Sequence, residues 1–126
     1  MGHPHCSAKR LVDEGVLVAA IEIGEIREPS IAYEVRDELL GLIKEAEIQH
    51  LIIDAHNLVF IGSVGFLAFL GIRREFAGRI VLCNLPLAIY ESFKVCRLIP
   101  YAPGASAPFE VASNIEAAIS LLVPNP

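Results

Sequence analysis

Three side chains capable of nucleophilic or acid–base chemistry, Asp54, His56 and Ser63, lie close together in this chain of 126 residues. A Ser-His-Asp triad needs the carboxylate to orient the imidazole and the imidazole to accept the serine proton. Asp54 and His56 are two positions apart in an extended segment, so both side chains leave the strand in the same direction. No neighbouring polar residue would orient them toward Ser63, and its context, Gly-Ser-Val-Gly, is not a G-x-S-x-G nucleophile elbow. The sequence therefore argues against a hydrolase, and it contains no other convincing catalytic set.

The other candidates for ligand chemistry are also weak. Residues 62–65 lack the Lys-Ser/Thr pair of a Walker phosphate loop, so nucleotide binding there would depend on the dipole of the following helix alone. His3, His5 and Cys6 could hold a metal, but a short N-terminal tract of this kind is more often disordered. We therefore predict neither a cofactor nor a metal site.

The composition argues against several classes of function. A net charge of −5 leaves no basic patch to neutralise phosphates, which disfavours nucleic acid as a partner. The three cysteines form no C-x-x-C pair, and such sparse cysteine usage is typical of a reducing cytoplasm. The uncharged stretch 58–72 is too short to span a bilayer, and the N-terminus lacks the apolar core of a signal peptide. We expect a cytoplasmic protein that does not insert directly into a membrane.

Ser63 follows the central stretch of the sequence. Residues 50–54 form a short, mostly apolar run with β-branched side chains, which is typical of a parallel-sheet strand buried on both faces. A turn and a second apolar burst lead to a helix predicted over 63–77, and Gly78 is expected to end it in the left-handed conformation. Ser63 should therefore lie in the first turn of a helix.

The rest of the chain alternates between strand and helix patterns, which predicts βαβ units and a largely parallel sheet. We predict an α/β fold with one domain over residues 9–123, preceded by a flexible tail at 1–8. Its sheet should be mixed and four- to five-stranded, with helices mainly on one face. The other predicted elements are a hairpin of strands 9–12 and 16–23, a helix capped by Ser30 and reaching Ala46, a strand at 79–83, a helix opened by Asn84 and Pro86, an edge strand at 109–111 and a last helix with a capping box at Ser113–Glu116.

Side-chain burial follows from the same patterns. Cys83 and Cys96 lie on apolar faces and are expected to be small core residues. The first helix should turn one charged face to solvent. The residues of that face are Glu34, Arg36, Asp37, Glu38, Lys44 and Glu45.

The order of these elements and three motifs resemble the STAS domain, the family named for sulphate transporters and anti-sigma factor antagonists. Residues 24–26, Gly-Glu-Ile, are similar to the G-E-[LI]-D motif of that family. The strand at 51–54 and the following segment 58–65 resemble the family's strand and its F-[IM]-D-S-[ST]-G motif. Residues 81–86 resemble the segment that opens the third helix, and the resemblance covers about residues 9–123.

The resemblance implies an STAS-like fold and a switchable site. Family members that act as anti-sigma factor antagonists are phosphorylated on the first hydroxyl residue of D-S-[ST]-G, which in this sequence is Ser63. Gly62 stands where the family has Asp, Val64 replaces the second Ser or Thr, and Arg27 replaces the Asp of G-E-[LI]-D. Glu25, Arg27 and Gly62 stand at positions of these two motifs, so the resemblance implies that they contribute to partner binding. The alternative role for Ser63 is that of a simple helix N-cap.

The implied function is regulation by protein–protein contact, as in a bacterial anti-sigma factor antagonist or a stressosome-type subunit. The expected partner is a serine-kinase-like anti-sigma factor or a scaffold protein, and a homo-oligomer is compatible with either. The alternative function is that of an STAS subunit of a membrane transporter or lipid-trafficking complex.

A helix face after Ser63 offers a candidate partner surface. If Phe66, Phe69, Leu70 and Phe76 face the sheet, then Val64, Leu67, Ala68 and Gly71 fall on the opposite side at helical spacing. An outward apolar stripe on a small domain usually marks a site for a partner. The alternative is that this face packs on a neighbouring helix.

Overall fold

A computed structural model describes residues 4–13 and 15–123 of the chain. The elements are β1 Cys6–Val12, β2 Val16–Ile21, β3 Glu25–Ile26, α1 Pro29–Ala46, β4 His50–Asp54, β5 Phe60–Ile61, α2 Ser63–Glu75, β6 Ile80–Cys83, α3 Leu87–Val95, β7 Glu110–Ala112 and α4 Ile115–Leu122. Within these described ranges, no helix is both long enough and apolar enough to cross a membrane.

The main sheet has five strands in the order β1-β2-β4-β6-β7. Strands β1 and β2 form an antiparallel hairpin, whose turn places Asp13 and Gly15 at positive φ angles of 44° and 96°. The pairs β2–β4, β4–β6 and β6–β7 are parallel. The predicted mixed sheet is therefore confirmed, with β7 as a short parallel edge strand.

Helices cover both faces of the sheet, which explains why β4 has no polar alternation. Leu51 and Ile53 belong to the larger core, which α1, α2 and α3 complete. Ile52 points to the other face and joins a smaller core with Ala118 and Leu122 of α4. Three helices thus share one face and one helix covers the other, as the prediction of helices mainly on one face requires.

Two predicted helix caps are wrong by one or two residues. Pro29 occupies the first helical position of α1, where its missing N–H costs nothing, so Ser30 already lies inside the helix. At the start of α4, the cap is Asn114 rather than Ser113. Its side-chain oxygen accepts a hydrogen bond of 2.8 Å from the N–H of Ala117.

Gly78 does not end a helix in the left-handed conformation, contrary to the prediction. Helix α2 already ends at Glu75, and Gly78 is not among the described glycines with positive φ. A Cβ atom at Gly78 would lie 1.8 Å from the carbonyl oxygen of Gln49. Glycine is needed here because two backbone segments approach each other closely just before β4.

Glu38 is buried, so its predicted place on the solvated face of α1 is wrong. Its carboxylate accepts hydrogen bonds from the backbone N–H groups of His5 and Cys6, both at 2.9 Å. This contact holds the start of β1, which begins at Cys6 instead of the predicted residue 9. Residues 6–8 of the predicted tail thus belong to the sheet, and residues 1–3 lie outside the described part.

The two predicted core cysteines differ in burial. Cys83 is buried in the smaller core, as predicted. Cys96 is exposed, contrary to the prediction, and it lies just after the last residue of α3, outside the helical turn whose Phe93 is buried.

Candidate functional site

Ser63 is the first residue of α2 and is exposed to solvent. The N-cap is Gly62, which has no side chain to accept a hydrogen bond, so the N-cap role considered for Ser63 is wrong. Within the described part of the chain, the Ser63 hydroxyl has no hydrogen-bond partner. N–H groups in the first turn of a helix lack intrahelical partners, so this hydroxyl lies in a region of positive partial charge.

A two-stranded ribbon positions this helix start. Strands β3 and β5 pair in parallel, with Ile26 opposite Ile61, and the N–H of Gly62 donates to the carbonyl oxygen of Ile26 at 2.9 Å. Gly65 then lies directly over β5, because a Cβ atom there would come within 2.4 Å of Ile61 Cγ1. The first turn of α2 is therefore fixed against the ribbon on both sides of Ser63.

Glu25 and Arg27 lie on the exposed side of the ribbon. The Arg27 Nε donates to a Glu25 carboxylate oxygen at 2.6 Å, and its guanidinium lies 4.0 Å from the centre of the Phe60 ring. The same ring lies 3.6 Å from where a Cβ atom on Gly62 would be. An exposed ion pair adds little stability, but the stacking places a cation close to the residue before Ser63.

Exposed apolar side chains lie on the segments that flank the serine. Val59 and Leu67 are 66% and 64% exposed, Phe60 is 37% exposed, and Val64 is half-buried. We call Val59, Phe60, Ser63, Val64 and Leu67 the docking surface. A clustered apolar surface on a small domain is typical of a partner-binding site.

Ala68 and Gly71 do not belong to this surface, which corrects half of the predicted stripe. Ala68 is 3% exposed and Gly71 is buried. A Cβ atom on Gly71 would meet the Arg36 side chain of α1 at 3.0 Å. This side of α2 therefore packs on its neighbouring helix, and the outward side holds Val64 and Leu67.

Asp54 and His56 form a separate polar cluster. The buried Asp54 carboxylate accepts hydrogen bonds from Asn84 Nδ2 at 3.0 Å and from the backbone N–H of His56 at 3.2 Å. The ring nitrogen Nδ1 of His56 lies 3.1 Å from both carboxylate oxygens. Burial raises the pKa of Asp54, but the hydrogen bonds from Asn84 and His56 outweigh it, so the pKa lies below its ordinary value.

This cluster faces away from α2. Asp54 shares its strand face with Ile52, which packs toward α4, and lies in register with Cys83 on the same side. Because Asp54 and His56 lie on the face of the sheet opposite to α2, the Ser-His-Asp triad weighed from the sequence is not assembled.

Cys83 is not a nucleophile at neutral pH either, since burial and the Asp54 charge raise the pKa of its thiol to about 12.

Sequence reasoning did not identify Val59 and Phe60 as part of the site. Both residues follow the turn after β4, and their apolar character close to Gly62 was the sequence signal that could have placed them in the site. The pairing of the two-residue strands β3 and β5, which exposes them, has no periodicity that a sequence pattern could show.

Comparison with known proteins gives a consistent picture of the fold. A family model for the STAS domain matches residues 29–118. The unphosphorylated anti-sigma factor antagonist SpoIIAA is similar over 96% of this chain and 98% of that chain, with a TM-score of 0.71 and 21% identity. RsbS from Moorella thermoacetica is similar over 90% and 91%, with a TM-score of 0.63 and 20% identity.

A third structure, SLC26A9, is similar over 86% of this chain but only 20% of its own, with a TM-score of 0.56 and 14% identity. No curated protein sequence gives a significant match. At these identities the structural likeness shows the fold, and the family match shows the family.

Proposed function

The chain belongs to the STAS domain family, and we propose that it is a cytoplasmic regulatory module of the anti-sigma factor antagonist or stressosome type. It acts by binding another protein, and phosphorylation of Ser63 controls that binding. SpoIIAA is an anti-sigma factor antagonist by name, and its fold extends over nearly the whole of this chain.

The observation that carries this proposal is the setting of Ser63. At the start of α2, the exposed serine hydroxyl has no hydrogen bond to the described residues, and the nearby segments carry exposed apolar side chains. A kinase can reach such a hydroxyl, and a partner that covers Leu67 must also come close to it. Modification of Ser63 and occupancy of the docking surface are therefore coupled by proximity.

Glu25, Arg27 and Gly62 adapt the site to a particular partner. The loss of two family carboxylates, at Gly62 and Arg27, makes the ribbon less negative, and Arg27 adds a cation stacked on Phe60. Charges at the rim of an interface chiefly select partners and set association rates. The partner should therefore carry a complementary acidic group opposite Arg27.

The alternative, an STAS subunit of a transporter complex, is supported by the likeness to part of SLC26A9. In that case the docking surface would bind a membrane protein or its assembly partner rather than an anti-sigma factor. Identification of the protein that co-purifies with the chain separates the two functions.

The test of the docking surface is Leu67→Asp. The exposed position should tolerate the charge, while binding to the co-purifying partner should fall at least tenfold, or about 1.4 kcal/mol. The matched control is Leu121→Asp, at an exposed leucine of α4 on the other side of the sheet. Equal loss of binding in both variants, or none in either, would reject the docking surface.

A further inference from the structure

Helix α3 lies at one end of the row of three helices that share a face of the sheet. Helix α2 packs on α1 where Gly71 meets the Arg36 side chain, and on α3 where the ring centres of Phe66 and Phe93 are 5.0 Å apart. It therefore lies between the other two helices. Helix α3 buries Ile89 and Phe93 on its inner side. Its outer side is open to solvent in the described part of the chain.

The outer side of α3 carries four residues at helical spacing. Leu87, Glu91 and Val95 follow each other at intervals of four residues, and Lys94 comes three residues after Glu91, so all four share one side of the helix. Leu87 and Val95 are 77% and 79% exposed, and Glu91 is exposed between them. We call Leu87, Glu91, Lys94 and Val95 the α3 face.

The two charges of the α3 face are not used within the chain. Glu91 and Lys94 form no ion pair with each other or with any other described residue. The Lys94 ammonium lies 6.0 Å from the centre of the Tyr90 ring, at the outer limit of a cation–π contact. A partner of this face should therefore offer one cation and one anion.

The α3 face is suited to contact between two acidic molecules. Glu91 is the only acidic residue in the segment 76–109, although the chain has fifteen Asp and Glu residues. With Lys94 beside it, the α3 face itself is neutral. Two copies with a net charge of −5 repel each other less through a neutral face than through an acidic one.

A two-fold axis makes the α3 face complementary to itself. In such a contact, if one residue lies opposite a second, the second of the same copy lies opposite the first of the other copy. When two α3 helices lie antiparallel with the axis between residues 92 and 93, Glu91 of each copy is opposite Lys94 of the other. A parallel arrangement would instead place Glu91 against Glu91 and Lys94 against Lys94.

We propose that two copies of this chain form an antiparallel, two-fold dimer through the α3 face. The Glu91–Lys94 pair forms twice, and Leu87 and Val95 flank these pairs and become buried. A helix of nine residues provides a small contact, so the dimer is weak and reversible. This inference goes beyond the proposed function because it requires neither phosphorylation of Ser63 nor another protein.

Charge reversal tests the pairing. Glu91→Lys and Lys94→Glu each bring like charges together in the dimer, so each should weaken association at least tenfold. Sedimentation velocity from micromolar to millimolar concentration measures the dissociation constant. An equimolar mixture of the two variants should associate like the wild type, because opposite charges then meet in both pairs. The double variant Glu91→Lys/Lys94→Glu should recover the dimer for the same reason.

Glu75→Lys is the matched control, since it makes the same change of charge at an exposed glutamate of α2, and it should associate like the wild type. Circular dichroism melting should show that all variants are folded. Val95→Asp replaces a single variant that is not, and it should also weaken association at least tenfold. A wild type that stays monomeric at millimolar concentration, or a mixture that associates no better than its components, would overturn the proposal. Single variants that dimerise like the wild type would also overturn it, because another face would then form the dimer.

Discussion

At the scale of single residues, the chemistry of the site depends on what a phosphate at Ser63 would meet. A phosphoserine carries about −1.5 to −2 charges at neutral pH. At the first position of α2 it would face the N–H groups of the first helical turn and the positive end of the helix dipole, which favour an anion by about 0.3–1 kcal/mol. Phosphorylation should therefore leave the fold intact and act on the docked partner.

Ser63→Glu should weaken partner binding roughly tenfold or more and leave the melting temperature within a few degrees. A partner that covers Leu67 must remove the new charge from water, and an uncompensated buried charge costs far more than the helix dipole supplies. Isothermal calorimetry with the co-purifying partner measures the change, and Ser63→Gln is the neutral control of the same size. If Ser63→Glu binds as well as the wild type, Ser63 is not a switch.

The position of Ser63 could be predicted from the sequence, but its surroundings could not. An apolar strand followed by Gly-Ser-Val-Gly and an apolar helix pattern places the serine at a helix start. The direction in which Ala68 and Gly71 face depends on where α1 lies, which is a tertiary contact without a local signal. The same is true of Arg27, whose stacking on Phe60 requires the ribbon to form first.

At the scale of elements, two glycines of α2 have opposite roles. Gly65 leaves no room for a side chain because its Cβ atom would lie 2.4 Å from Ile61 Cγ1 and 3.1 Å from Ile26 Cγ2. Gly71 faces only the flexible Arg36 side chain at 3.0 Å, which can move aside. The site around Ser63 depends on the first of these contacts and not on the second.

Gly65→Ala should destabilise the domain by about 1–3 kcal/mol, the usual cost of overpacking a core. In Gly71→Ala, alanine gains about 1 kcal/mol of helix propensity, which should offset the displacement of Arg36 and leave stability near that of the wild type. Urea unfolding of both variants measures the contrast. Equal stability of the two variants would show that α2 can shift on β5.

A second prediction concerns the attachment of β1 to α1. Glu38→Ala removes the acceptor of two N–H groups, that of the half-buried His5 and that of the buried Cys6, so it should cost roughly 1–3 kcal/mol and loosen the start of β1. Hydrogen exchange of the Cys6 amide should become faster. Asp37→Ala, which removes an exposed carboxylate of α1 that pairs with the neighbouring Arg36, is the control and should leave this exchange unchanged. Unaltered protection in Glu38→Ala would contradict the role of Glu38.

The sequence predicted the elements better than it predicted their ends. Strands β4 and β6 are buried on both faces, and the apolar runs at 51–53 and 80–83 made this burial predictable from the sequence. Glu38 was expected to face solvent because its helix neighbours are charged, and no local pattern reveals that β1 would place two N–H groups against it. The capping of α4 by Asn114 instead of Ser113 is likewise decided by backbone conformation, since both residue types are good caps.

At the scale of the whole molecule, two carboxylates connect neighbouring strands of the sheet and make its stability depend on pH. Asp54 joins the ends of β4 and β6 through Asn84. Glu110 of the edge strand β7 binds Arg79 at the start of β6 with two hydrogen bonds, of 2.6 and 2.8 Å. Each carboxylate is stabilised in its charged form by contacts that exist only in the folded chain.

Acid should therefore weaken the fold through both groups. The pKa of Asp54 is below its ordinary 3.8 because hydrogen bonds from Asn84 and His56 outweigh burial. The pKa of Glu110 is below its ordinary 4.5, chiefly because of the hydrogen bonds from Arg79. Since the folded pKa values are depressed, the unfolded chain binds more protons in this range. The stability from these contacts is complete above the ordinary values and is lost as the pH falls through the lowered ones.

The double variant Asp54→Asn/Glu110→Gln should be less stable than the wild type at neutral pH, and its unfolding free energy should fall less steeply between about pH 5 and pH 3. Urea unfolding at a series of pH values measures both slopes. Glu116→Gln removes an exposed carboxylate that pairs with Arg10 at the surface, so it should keep the slope of the wild type. If the double variant keeps the full acid dependence, other carboxylates hold the sheet together. The Asp54 cluster would then be only a local contact between the ends of two neighbouring strands.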